Sequence, residues 1–97
     1  MMQKMNIKEL ISEVVNKEIS ENRAIEIEKS EWWNDATDLQ IAYIQINQDR
    51  LICNFYRFHQ ACERVIESPI QSMAFGLRPF VDAMKRKINL EYEKERK

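Results

Sequence analysis

A chain of 97 residues makes a single domain and buries a smaller share of its surface than a larger protein does. One glycine and two prolines are too few for a β-sandwich or barrel, which needs a turn signal about every 8–12 residues; a few long helices are expected instead, an all-α fold over residues 1–97. Fifteen Lys and Arg against sixteen Asp and Glu leave no net field that favours nucleic acid or an anionic membrane.

Asn6 followed by Glu9 has the form of a capping box, and Leu10, Ile11, Val14 and Ile19 follow at helical spacing. A first helix is therefore predicted near residues 6–20. Ala24 to Glu28 alternates apolar and charged residues with period two, the pattern of a short strand or an extended linker. A lone strand would offer its edge to another chain. Ser30 to Asp38 then gathers capping and turn residues around Trp32 and Trp33. Neighbouring side chains diverge by about 100° on a helix and point to opposite faces of a strand, so both rings cannot enter one small core. One packs and the other is left half exposed; because tryptophan is enriched at interface hot spots, the pair is a candidate docking anchor.

From Asp35 to Ser68 the chain runs 34 residues without glycine or proline. Ile41, Ile44, Gln48, Leu51, Phe55, Phe58, Cys62 and Val65 recur in steps of three and four, which predicts one long central helix with an apolar stripe. Such a helix spans roughly 50 Å, more than a chain of this size encloses, so part of the stripe is expected to seek a partner. The rival reading is α+β, with a hairpin at 39–58 built from β-branched and aromatic residues, although its turn at Gln48-Asp49 lacks the glycine or asparagine that tight hairpins prefer. Ser68-Pro69-Ile70-Gln71 supplies a cap, a proline for the first helical position and a glutamine to bond back, predicting a further helix there. Gly76 and Pro79 break that helix, and a last one runs from about Pro79 with Phe80, Val81, Met84, Ile88 and Tyr92 on its apolar side. The charged tail, residues 91–97, is expected to fray.

His59, Cys62 and Glu63 share one helical face and are the cluster with metal-ligand character, yet one histidine with unpaired cysteines is a poor inventory, and no metal or other cofactor is expected. Cys53 and Cys62 stand nine apart, half a turn out of phase on an unbroken helix, so they share neither a metal nor a disulfide there. With lysines and glutamates interleaved among the first apolar residues, and no long apolar stretch, reduced thiols in a cytoplasm and no membrane partner are expected. No glycine-rich phosphate loop or nucleophile motif surrounds the single histidine, so no catalytic residue is assigned and the chain is not expected to be an enzyme. Lys85-Arg86-Lys87 carries charge suited to phosphates, but Glu91, Glu93 and Glu95 interrupt the basic run toward the C-terminus. A helix-turn-helix formed by 69–76 and 79–92 would enter a groove with Pro79, Phe80 and Val81 leading, where polar base-reading residues belong; strong direct nucleic-acid binding is not expected.

Taken over its full length, the chain resembles the small anti-RecBCD accessory proteins of lambdoid phages in its size, long helical stretches, tryptophan pair and Ser68-Pro69 junction. That resemblance implies a phage protein in the bacterial cytoplasm that binds the RecC side of the host RecBCD helicase-nuclease and redirects its Chi-regulated degradation toward phage recombination. It also implies a host peptidyl-prolyl isomerase as companion, with Pro69 the matching position. Partner contacts are accordingly expected at Trp32, Trp33, Ser68 and Pro69. A self-associating helical module and a small DNA-binding regulator are the alternatives.

Overall fold

The polar run Asn47-Gln48-Asp49 ends the predicted central helix at Ile46. A computed structural model describes residues 5–96. In chain order it has α1 (Ile7–Val14), α2 (Glu21–Lys29), a 3-10 turn (Trp32–Asp35), α3 (Asp38–Ile46), α4 (Phe55–Ile66), a second 3-10 turn (Ser72–Gly76) and α5 (Arg78–Glu95). The all-α class holds. Among the described residues there is no strand, so neither the hairpin at 39–58 nor the strand at 24–28 forms.

The single long helix is replaced by α3 and α4 with an irregular connection over 47–54. Asn47 turns its amide back on the preceding turn, donating to the Tyr43 carbonyl at 2.9 Å, while the Asn54 side chain accepts from the Arg57 N–H at 3.0 Å and starts α4. Both asparagines offer the backbone a local alternative to continued helix. The molecule measures 38 × 31 × 22 Å, so a helix of roughly 50 Å would overrun it. Folding α4 back on α3 lets Ile41, Ile44, Phe58, Ala61 and Cys62 enter one core.

The connection itself is held by two buried glutamines. Gln45 Nε2 donates to the Arg50 carbonyl at 2.9 Å and its Oε1 accepts from the Ile52 N–H at 2.8 Å. Gln48 Nε2 donates to the carbonyls of Val14 at 3.0 Å and Lys17 at 2.9 Å, and the Asn16 N–H donates to the Asn47 carbonyl at 2.8 Å. These bonds tie the end of α1 to the connection and satisfy backbone groups that would otherwise be buried without partners.

Further expectations are corrected. The first helix stops at Val14, because Val15 is extended and Asn16 takes a left-handed φ of 58°. Ile19 therefore lies outside it, and the Ser20 hydroxyl caps α2 by accepting from the Arg23 N–H at 3.1 Å. Residues 24–28 lie within α2: the period-two pattern is read at helical spacing, with Ala24 and Ile27 buried and Ile25 left outside. No helix begins at Ser68-Pro69; residues 67–71 are irregular, and the chain next becomes helical at Ser72. That also removes the first member of the helix-turn-helix considered above. The break near Gly76 to Pro79 is present, with Leu77 extended between the second 3-10 turn and α5. Within the charged tail α5 continues to Glu95, with Glu91 paired to Lys87 at 3.2 Å and to Lys94 at 3.4 Å and Tyr92 stacked on Tyr43 at 3.7 Å. Lys97 lies outside the described residues.

Asp38 fixes how α3 and α4 meet. Thr37 and Gln40 form a reciprocal capping box at the start of α3, which leaves the Asp38 carboxylate free to reach α4, where it pairs with Arg57 at 2.7 Å and Arg64 at 3.2 Å. Burial pushes the Asp38 pKa up, but the hydrogen bonds from the two guanidinium groups outweigh it and the net shift is downward. The unfolded value is about 3.9, so this stabilisation is complete above that pH and is lost as pH falls through the lower folded value. Asp38→Asn is expected to lower the thermal midpoint at about pH 7, with the difference from the parent closing as pH falls below the usual carboxylate range. A midpoint difference that stays constant across that range would remove the ion pairs as its cause.

Candidate functional site

The tryptophan pair is divided by the fold as the sequence required. Trp32 is 1% exposed and its Nε1–H donates to the Ile52 carbonyl at 2.9 Å, so its polar edge is satisfied inside the core. Trp33 meets it edge to face, with ring centroids 6.0 Å apart, and remains partly exposed. Trp33 lines a cleft of about 470 Å³ together with Leu51, Phe55 and Tyr56, with Glu28, Lys29 and Glu31 at its border. A second cleft, of about 370 Å³, is lined by Ile46, Asp49, Leu51, Phe55, Phe75 and Val81 among others. Leu51 and Phe55 belong to both clefts, so the two open on either side of one apolar ridge.

That ridge exposes large apolar side chains. Leu51 is 52% and Tyr56 83% exposed; Phe80, next in sequence to the cleft residue Val81, and Met73 and Leu77, each two positions from the cleft residue Phe75, are exposed as well. Phe55 is held by an aromatic cluster, with Phe75 at 5.4 Å and His59 at 6.0 Å between ring centroids. The surface is thus apolar and braced, which is the character of a docking face. Leu51, Tyr56 and Phe75 were not singled out from sequence as site residues. Leu51 sits on the predicted apolar stripe, and only the break at 47–54 turns it outward.

Ser68 and Pro69 are exposed at the other end of α4. The segment that carries them is anchored on both sides. Glu67 caps α4 in a left-handed conformation, and its N–H and that of Ser68 both donate to the Glu63 carbonyl, at 2.8 and 3.2 Å. On the far side the buried Ile70 is gripped through its backbone: its N–H donates to Glu63 Oε2 at 2.8 Å, and His59 Nε2–H donates to its carbonyl at 2.6 Å. His59 and Glu63, considered above for a metal, hold this strap in place, and Cys62 points into the core. No cis peptide bond occurs among the described residues. The 12 residues of α4, Phe55 to Ile66, extend about 18 Å along its axis. Trp33 and Ser68-Pro69 therefore form two separate surfaces at opposite ends of α4.

Burial pushes both Cys53 and Cys62 up to about 12, so the thiols stay protonated near neutral pH and are poor nucleophiles. Arg23 Nη2 donates to Glu13 Oε1 at 2.7 Å and holds the Glu13 carboxyl below its usual range. A further groove of about 670 Å³ beside the stacked Tyr43 and Tyr92 is bordered by Lys8, Thr37, Glu95 and Arg96. Comparison with protein-family models, curated proteins and solved structures gives no significant match. Among the described residues, no helix is long and apolar enough to cross a membrane.

Proposed function

We propose that this chain is a small helical accessory protein that acts by occupying a surface of a host protein complex, and that the complex is RecBCD, bound on its RecC side. The observation that carries the reading is the ridge formed by the exposed Leu51 and the partly buried Phe55 between two clefts, flanked by Trp33 and Tyr56. An apolar face of this kind on a small helical domain suits protein docking, with aromatic side chains as anchors. The choice of RecBCD rests on the resemblance in size, tryptophan pair and Ser68-Pro69 junction. Binding there would alter Chi-regulated degradation and favour recombination. The exposed strap at Ser68-Pro69 supports a second contact, with a host peptidyl-prolyl isomerase, because an exposed prolyl segment fixed at both ends meets a partner without first being ordered.

Size-exclusion chromatography with mass detection, run with and without purified RecBCD, tests the first contact. Co-migration is expected, and Leu51→Asp is expected to abolish it while leaving the helical circular-dichroism signal unchanged, since Leu51 lies at the surface. A dimer alone, with no co-migration, would turn the reading into a self-associating module; retardation of duplex DNA would turn it into a nucleic-acid binder. Pro69→Ala tests the second contact: the variant should stay folded and lose isomerase association. Undiminished association would take Pro69 out of the mechanism.

A further inference from the structure

We infer that the Leu51–Phe55 face takes a protein segment bearing two apolar anchors bracketed by Lys or Arg side chains. The inference rests on the reading of this face as a docking site and adds what the occupant must look like. Two clefts separated by a shared wall call for two anchors, one on each side of the ridge, and both volumes lie in the range of about 300–1,000 Å³ typical of binding pockets. An amphipathic segment with anchors on either side of Leu51 and Phe55 meets that requirement.

Charge selects the flanks. Glu28 and Glu31 border the first cleft with Lys29 as its one cation, and Asp49 borders the second, which has no cation in its lining. All three carboxylates are exposed. None forms an ion pair among the described residues, in contrast to Glu13, Asp38, Glu91 and Glu93, which are each paired with Lys or Arg. An apolar face with unpaired carboxylates at both ends attracts a segment with cations at both ends and repels an acidic one. The same rim disfavours anionic lipid surfaces and the phosphates of nucleic acid.

Selection of random displayed peptides against the immobilised full-length chain tests this, since no partner has to be supplied. The peptides retained should share a pair of apolar residues with Lys or Arg outside them, should bind at least about tenfold more weakly to Leu51→Asp, and should lose affinity as salt rises. With Glu28→Lys, Glu31→Lys and Asp49→Lys combined, checked for an unchanged circular-dichroism spectrum, the selected flanks should switch to Asp and Glu. Failure to retain any peptide, retention without a basic bias, or the same bias on the charge-reversed chain would overturn the inference. So would sedimentation of the free chain as a dimer that Leu51→Asp dissociates, since a second copy would then cover the face. RecBCD co-migration is measured separately, so a negative selection beside intact co-migration removes this inference and leaves the RecBCD reading standing.

Discussion

Trp32→Ala is expected to lower the stability of the chain by about 3–5 kcal/mol, the usual loss for truncating a buried tryptophan, whereas Trp33→Ala is expected to change partner binding far more than stability. Trp32 is enclosed and its indole N–H is bonded to the Ile52 carbonyl, so its removal leaves both a cavity and an unsatisfied carbonyl. A domain of this size has only about 5–15 kcal/mol in total, and the variant would be close to unfolding. Trp33 lines the first cleft at the surface, where losing an anchored ring costs more than about 2 kcal/mol, roughly thirtyfold in affinity. Urea denaturation read beside RecBCD binding separates the two. Equal loss of stability from both substitutions, with binding unaffected, would remove Trp33 from the docking face.

The second large effect is expected at Gln48. Gln48→Met keeps most of the volume but deletes the bonds to the Val14 and Lys17 carbonyls and to the Arg50 N–H. Orphaned buried polar groups cost about 1–3 kcal/mol each, and because two of these three lie only partly buried, a total near 3 kcal/mol is expected. The urea midpoint should fall with an unchanged slope. A fall of less than about 1 kcal/mol would mean that water replaces the glutamine and that packing alone holds the connection. The effect should reach the docking face as well, since Gln48 lines the second cleft.

Two helix starts were legible in the sequence from a local signal, while the equally local caps at Ser20 and Asn54 were not read. Asn6 caps α1 through the Glu9 N–H, and the turn residues before α3 include Thr37, which accepts from the Gln40 N–H; each pair lies three residues apart. Ser68-Pro69 shows how such a signal is overridden. Its residues are well suited to start a helix, but Ile70 is drawn into the core and its backbone is taken by His59 and Glu63 from the preceding helix. The candidate site was half legible. The adjacency of Trp32 and Trp33 demanded that one ring lie near the surface, but Leu51 carried the same apolar spacing as the core residues around it.

By itself, then, the sequence determined that the described chain is helical, that its breaks include the one near Gly76, and that the tryptophans part company, because glycine and proline supply, capping pairs and side-chain divergence all act over one to four residues. Only the tertiary structure decided that the central stretch breaks at 47–54, which face Leu51 shows to solvent and how Ser68-Pro69 is displayed. The bonds responsible include those from Gln48 to Val14 and Lys17, across 34 and 31 residues, and those from His59 and Glu63 to Ile70, across 11 and 7. Partners at such separations meet only after the helices have packed, so no local spacing along the chain could announce them.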